Sequence, residues 1–120
     1  MKRIGIVGSR RRNRGVDRKV VREQFLEIYE HGDIIVSGGC PKGADNFAQQ
    51  IAKEYGIPIM IYYPNWKKFG RGAGFVRNLE IANDSDVLLA CVTEDRKGGT
   101  EDTISKFLKK KPIGELILIE

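Results

Sequence analysis

The stretch Ile34-Ile35-Val36-Ser37-Gly38-Gly39-Cys40-Pro41-Lys42-Gly43-Ala44-Asp45-Asn46-Phe47-Ala48 decides the fold. A short apolar, β-branched run ends in two glycines. After the turn, apolar residues recur at Ala44, Phe47, Ala48, Ile51, Ala52 and Tyr55. That spacing is helical, and Gly56 supplies the stop signal. The stretch is therefore a strand, a glycine-rich turn and an amphipathic helix, which is the building unit of a parallel α/β sheet.

The same alternation continues on both sides. Arg3 to Val7 reads as a strand stopped by Gly8, followed by a basic loop to Gly15. Helical spacing then runs from Val16 to about Tyr29 through Val21, Phe25 and Ile28, and His31-Gly32 closes it. Beyond the opening stretch, Ile57 to Tyr62 reads as a strand and residues 63–72 as a loop holding Trp66. A helix from Gly74 to Asn83 follows, carrying Phe75, Val76, Leu79 and Ala82. Val87 to Val92 is continuously apolar, as expected of a central strand buried on both faces. A loop leads to a helix at 100–110 with Ile104, Phe107 and Leu108 inward, and Leu116 to Ile119 forms a last strand. Lys109, Lys110 and Lys111 complement the negative end of that last helix. Five strands and four helices in alternation predict a Rossmann-like, three-layer α/β sandwich. Right-handed crossovers favour a five-stranded parallel sheet in the order 3-2-1-4-5.

The 120 residues fit one domain, residues 1–120. No repeat, linker or apolar run of about 20 residues interrupts them, so no membrane span is expected. Cys40 and Cys91 match no metal-ligand spacing and form no CxxC pair, so free thiols in a reducing, cytoplasmic setting are expected. No metal and no resident cofactor is expected.

Charge is unevenly spread. Residues 1–22 hold nine Lys and Arg against the single acid Asp17, a net +8, while the remainder carries −3. The run from Arg10 to Arg22 is either a solubilising surface or a phosphate-binding one. The phosphate would belong to a small nucleotide or to a nucleic-acid backbone tracked by Arg11, Arg12, Arg14 and Arg18.

In a sheet of this order ligands bind beyond the carboxyl ends of the strands, where the order reverses. The loops there hold Gly8-Ser9-Arg10, Ser37-Gly38-Gly39 with Gly43-Ala44-Asp45, and Gly98-Gly99-Thr100-Glu101. Glycine lets backbone amides approach an anion, and a helix start offers unpaired N–H groups. Ser9, Ser37 and Thr100 would donate to phosphate, and Arg10 would grip it with two N–H groups. Neither GxxxxGK[ST] nor GxGxxG is present, which argues against a Walker loop and a dehydrogenase-type dinucleotide site. Trp66, with Tyr62, Tyr63 and Phe69 around it and Lys67-Lys68 beside it, suits base stacking, a cover for the sheet end, or a subunit contact.

Gly8-Ser9-Arg10, the run from Ser37 to Asp45, Ala73-Gly74-Phe75-Val76-Arg77-Asn78 and Gly98-Gly99-Thr100 together resemble the SLOG superfamily, and within it the small YspA-like (DUF2493-type) proteins. That superfamily also holds the Lonely Guy phosphoribohydrolases and the DprA/Smf DNA-processing proteins. The resemblance spans essentially the whole chain. It implies a nucleotide or nucleotide-derived ligand that is sensed or processed, and self-association into dimers or larger homo-oligomers.

It also implies ligand contacts from Gly8, Ser9, Arg10, Ser37, Gly38, Gly39, Asp45, Arg77, Asn78, Gly98, Gly99 and Thr100; Glu101, at the start of the last helix, is a further candidate, with the ribose toward Asp45 or Glu101. In the Lonely Guy enzymes the arginine matching Arg77 is catalytic, and a catalytic glutamate stands three residues after the loop threonine. That position is Thr103 here, so Arg77, Glu101 and Asp102 are the candidates for catalysis of N-glycoside hydrolysis. Three functions follow as expectations: nucleotide binding, hydrolysis of a nucleoside 5′-monophosphate, and single-stranded nucleic-acid binding.

Overall fold

In the computed structural model residues 1–110 and 115–120 are described. Strands β1 (Arg3–Gly8), β2 (Ile34–Ser37), β3 (Ile59–Ile61), β4 (Val87–Cys91) and β5 (Glu115–Ile119) form one sheet in the order β3-β2-β1-β4-β5, with every pair parallel. This is the expected α/β architecture and strand order. Helices α1 (Gly15–Ile28), α2 (Ala44–Tyr55), α3 (Trp66–Phe69), α4 (Ala73–Asp84) and α5 (Gly99–Lys110) connect the strands.

Strand side chains alternate between two faces, and each face builds its own core. Ile4 and Ile6 of β1 point to one side, where they join Ile35 and Leu89 with Val21 and Phe25 of α1 and Phe47, Ala48 and Ile51 of α2. Val7 points to the other side, where Val36, Leu88 and Ala90 meet Ile81 and Ala82 of α4 and Ile104 and Phe107 of α5. Truncating a core ring such as Phe25 or Phe107, both fully buried, would cost about 3–5 kcal/mol. The result is three layers.

Local chemistry sets the helix ends. Asp17, in the first turn of α1, accepts the backbone N–H of Arg14 at 3.1 Å, which suits the positive end of the helix. Gly56 ends α2 in the left-handed conformation with φ of 65°. Lys109 and Lys110 occupy the last turn of α5; Lys111 lies outside the described residues. None of the described helices is long and apolar enough to cross a membrane.

Several details differ from the expectations. The third strand covers only Ile59–Ile61, because Pro58 has no N–H to give the ladder and Ile57 is drawn back onto α2, its N–H donating to Ala52 at 2.9 Å. Residues 63–72 are not a plain loop. Asn65 caps the short α3, its side chain accepting the Lys68 N–H at 3.0 Å, and a 3-10 turn at Gly70–Gly72 follows. β4, by contrast, is as expected: it is fully buried, with β1 on one side and β5 on the other. Phe75 and Leu108 face solvent. The buried positions of α4 are Ala73, Asn78, Ile81 and Ala82; Phe75 shares a side with Asn78 and Ala82, but in the first turn of the helix it lies at the cleft and not in the core.

Candidate functional site

Parallel pairing sets Gly8 opposite Cys91 and Gly5 opposite Val36, so β1, β2 and β4 run the same way and their carboxyl ends face one rim. The loops that leave them are tied together by main-chain contacts. Ser9 N–H donates to the Cys91 carbonyl at 3.1 Å. Gly43 has φ of 75°, and a Cβ on it would fall 2.7 Å from the Ser9 carbonyl oxygen. Only glycine lets these two loops touch in that way. The Gly43 N–H donates to Asn13 Oδ1 at 2.8 Å, which fastens the first loop to the second.

The loops enclose a cleft of about 870 Å³, within the range of small-molecule sites. Gly8, Ser9, Arg10, Gly38, Gly39, Asp45, Arg77, Asn78, Gly98, Gly99 and Thr100 line it. Turns far apart in the chain thus meet at one opening. Three residues grouped with them in the sequence do not line it. Ser37 is fully buried, with its hydroxyl 3.5 Å from the Asp45 carbonyl. Glu101 is held by Arg96, whose Nε and Nη2 donate to its two oxygens at 2.8 and 2.9 Å. Asp102 accepts from Lys106 Nζ at 2.7 Å and from Asn78 Nδ2 at 3.0 Å. Thr103 does line the cleft, and its hydroxyl donates back to the Gly99 carbonyl at 3.4 Å, one helical turn earlier.

Arg77 forms no ion pair with Glu80, Glu101 or Asp102. Its Nη1 donates to the Gly38 carbonyl at 2.6 Å and its Nε to Asn78 Oδ1 at 3.0 Å. Asn78 passes the connection on to α5 through Asp102 and the Gly99 carbonyl. The second glycine loop is gripped from its other side by Asp45, 8% exposed, whose Oδ2 accepts the Cys40 N–H at 3.0 Å. Burial holds the Asp45 carboxyl above the usual carboxylate range, against the opposing pull of the Cys40 amide, Arg77, the Gly38 amide and Arg10. Below this rim, burial pushes the Cys91 thiol up to about 11, so it is an inert packing group.

The basic run splits in three. Arg10 is exposed at the cleft and has no ion pair among the described residues. Arg11 also reaches the cleft, but forks onto Asp95 at 2.7 and 3.0 Å and onto Thr93 at 3.0 Å. Arg12 turns inward, donating to Asp17 and to the carbonyls of Val92 and Ile119 at 2.9 and 2.8 Å. It fastens the ends of β4 and β5 and is not placed to track a nucleic-acid backbone. Arg14 and Arg18 border a separate hollow of about 320 Å³ between α1 and α2. One charge run in sequence is therefore not one surface.

The cleft is also lined by Tyr63, Trp66, Phe75 and Arg71. Trp66 is 60% exposed and Tyr63 64%, which is unusual for rings of this size. Lys106 Nζ lies 5.2 Å from the centre of the Phe75 ring. Phe75, Arg71, Lys97 and Thr103 were not singled out from the sequence as site residues. Phe75 reads as a core residue by spacing, and Arg71 and Lys97 lie outside any periodic pattern. Thr103 alone had a signal, one turn after Thr100.

No protein-family model matches the chain, and neither does any curated protein. Among solved structures it is similar to DNA processing protein A from Helicobacter pylori, described for its single-stranded DNA binding mode. The TM-score is 0.68 and the identity 20%, over 99% of this chain and 65% of that one. The chain therefore has the Rossmann-like fold of that DNA-processing protein and spans about two thirds of its length.

Proposed function

We propose that the cleft binds a nucleotide or nucleotide-derived ligand, and that the chain is a sensing or processing domain of the SLOG superfamily, YspA-like in kind. The observation that carries this reading is the meeting of Ser9-Arg10, Gly38-Gly39 and Gly98-Gly99-Thr100 around one cleft of about 870 Å³. The phosphate lies against Ser9, Arg10 and the amides that start α5, where the helix dipole favours an anion. The base lies toward Tyr63, Trp66 and Phe75. Residues 1–120 act as one domain, in the cytoplasm and as a homo-oligomer. Thermal shift with AMP, ADP-ribose, NAD and cyclic nucleotides tests the reading. A ligand at 100 times its Kd stabilises by about 2.7 kcal/mol, and no shift from any of them at millimolar concentration would contradict it.

A second reading, single-stranded nucleic-acid binding, has its own support. Exposed Tyr63, Trp66 and Phe75 line the cleft together with Arg71, and Lys106 lies over the Phe75 ring; stacking rings and cations are what an unpaired strand requires. The similarity to a protein that binds single-stranded DNA points the same way. Affinity for a single strand would fall with salt at a slope of about −0.7 per phosphate contacted. N-glycoside hydrolysis has less support, because Glu101 and Asp102 are held by Arg96 and by Lys106 and Asn78, outside the cleft lining.

A further inference from the structure

Asp45 is the one carboxylate among the described residues that lines the cleft. Two backbone amides face it, from Cys40 at 3.0 Å and from Gly38. A carboxylate has about four acceptor positions, so these amides use half of them. Arg77 stands near, but its Nη1 and Nε go to the Gly38 carbonyl and to Asn78. Acceptor capacity therefore remains on the wall of the cleft, at a residue only 8% exposed, where an unmatched polar group is costly.

This gives the cleft a chemical direction. The amides of the second glycine loop already hold a fixed anion, so a phosphate is repelled from that end and drawn toward Ser9, Arg10 and the start of α5. What Asp45 accepts is a hydrogen-bond donor. Away from its phosphate, a nucleotide offers donors on its sugar hydroxyls and on its base, and the exposed rings of Tyr63, Trp66 and Phe75 suit the base. Resting on the nucleotide reading above, we propose that Asp45 reads the sugar hydroxyls, so that the site takes ribonucleotides in preference to their deoxy counterparts.

Calorimetry on the full chain tests this with the four common ribonucleoside 5′-monophosphates and their 2′-deoxy and 2′,3′-dideoxy forms. The ribonucleotide should bind about tenfold or more tightly than its dideoxy form, the consequence of leaving a buried acceptor unmatched. Asp45→Asn can still accept the two amides but offers the cleft an NH2 group, and should bring the ratio below about threefold. Thermal melting reports whether that variant keeps its fold, and if it does not, the wild-type series decides alone. Equal affinity for ribo and dideoxy forms overturns the assignment while leaving the nucleotide reading intact. So does a ratio that persists in folded Asp45→Asn. Failure of every nucleotide to bind overturns both.

Discussion

Arg77 Nη1 donates to the carbonyl oxygen of Gly38 at 2.6 Å, so a helix from the second half of the sheet holds the glycine loop that follows β2. Asp45 holds the same loop through its amides. The loop is clamped by an arginine on its oxygen side and a carboxylate on its nitrogen side, which fixes one wall of the cleft before any ligand arrives.

Removing that clamp should show in both stability and binding. Arg77→Ala leaves the Gly38 carbonyl and Asn78 without a donor, and should cost about 1–3 kcal/mol in urea denaturation. Nucleotide affinity should fall with it. Arg77→Lys offers a single ammonium that cannot serve both acceptors in the same geometry, and should recover less than half of the lost stability.

Arg10 and Arg12, two residues apart, should behave as opposites. Arg10→Ala should leave stability within about 0.5 kcal/mol while weakening nucleotide binding by about tenfold. Arg12→Ala removes the donor shared by Asp17, Val92 and Ile119, and should cost about 2–3 kcal/mol without touching the cleft. Paired melting curves and titrations on the two variants separate these outcomes. Equal losses of stability would refute the division of the basic run.

Gly43→Ala should destabilise by about 2 kcal/mol or more. It would place a side chain in a left-handed conformation, and the new Cβ would meet the Ser9 carbonyl. Chemical denaturation reads the cost. A fully stable variant would mean that the first and second loops are not held in contact.

The pH dependence has a sign that can be checked at Asp33. Burial pushes this carboxyl up, but the Lys2 ammonium and the amides of Lys2 and Glu30 outweigh it, so it lies below its usual value of 3.8. The folded state thus favours the ionised form. The stabilisation is present above pH 3.8 and is lost as pH falls through the lower folded value. Asp33→Asn should therefore cost about 2 kcal/mol at pH 7, and the gap from wild type should close in acid. Asp45 works the other way. Its carboxyl is held above the usual range by burial, so its ionisation costs stability at neutral pH and acid relieves that cost.

Strand order, helix positions and the meeting of the glycine loops were legible in the sequence, because each depends on local period and on the narrow choice of parallel topologies. Ala44, Phe47, Ala48, Ile51 and Ala52 lie buried as their spacing requires. Side-chain partners were not legible. The pairing of Glu101 with Arg96, and the inward turn of Arg12 toward Ile119, depend on contacts that no local pattern encodes. Phe75 misled for a related reason: it shares a side of α4 with the buried Asn78 and Ala82, but in the first turn it lies at the cleft, which no local period encodes. A short helix of four residues at Trp66–Phe69 was invisible because it holds too few turns to show a period.

The most direct test of the nucleotide reading is an amide NMR titration of the intact chain with ribonucleoside 5′-monophosphates. Resonances of Ser9, Arg10, Gly39, Gly98, Gly99 and Thr100 should move together along one saturable curve, with the α1–α2 hollow near Arg14 and Arg18 unchanged. Shifts confined to that hollow, or none at all at millimolar nucleotide, would contradict it.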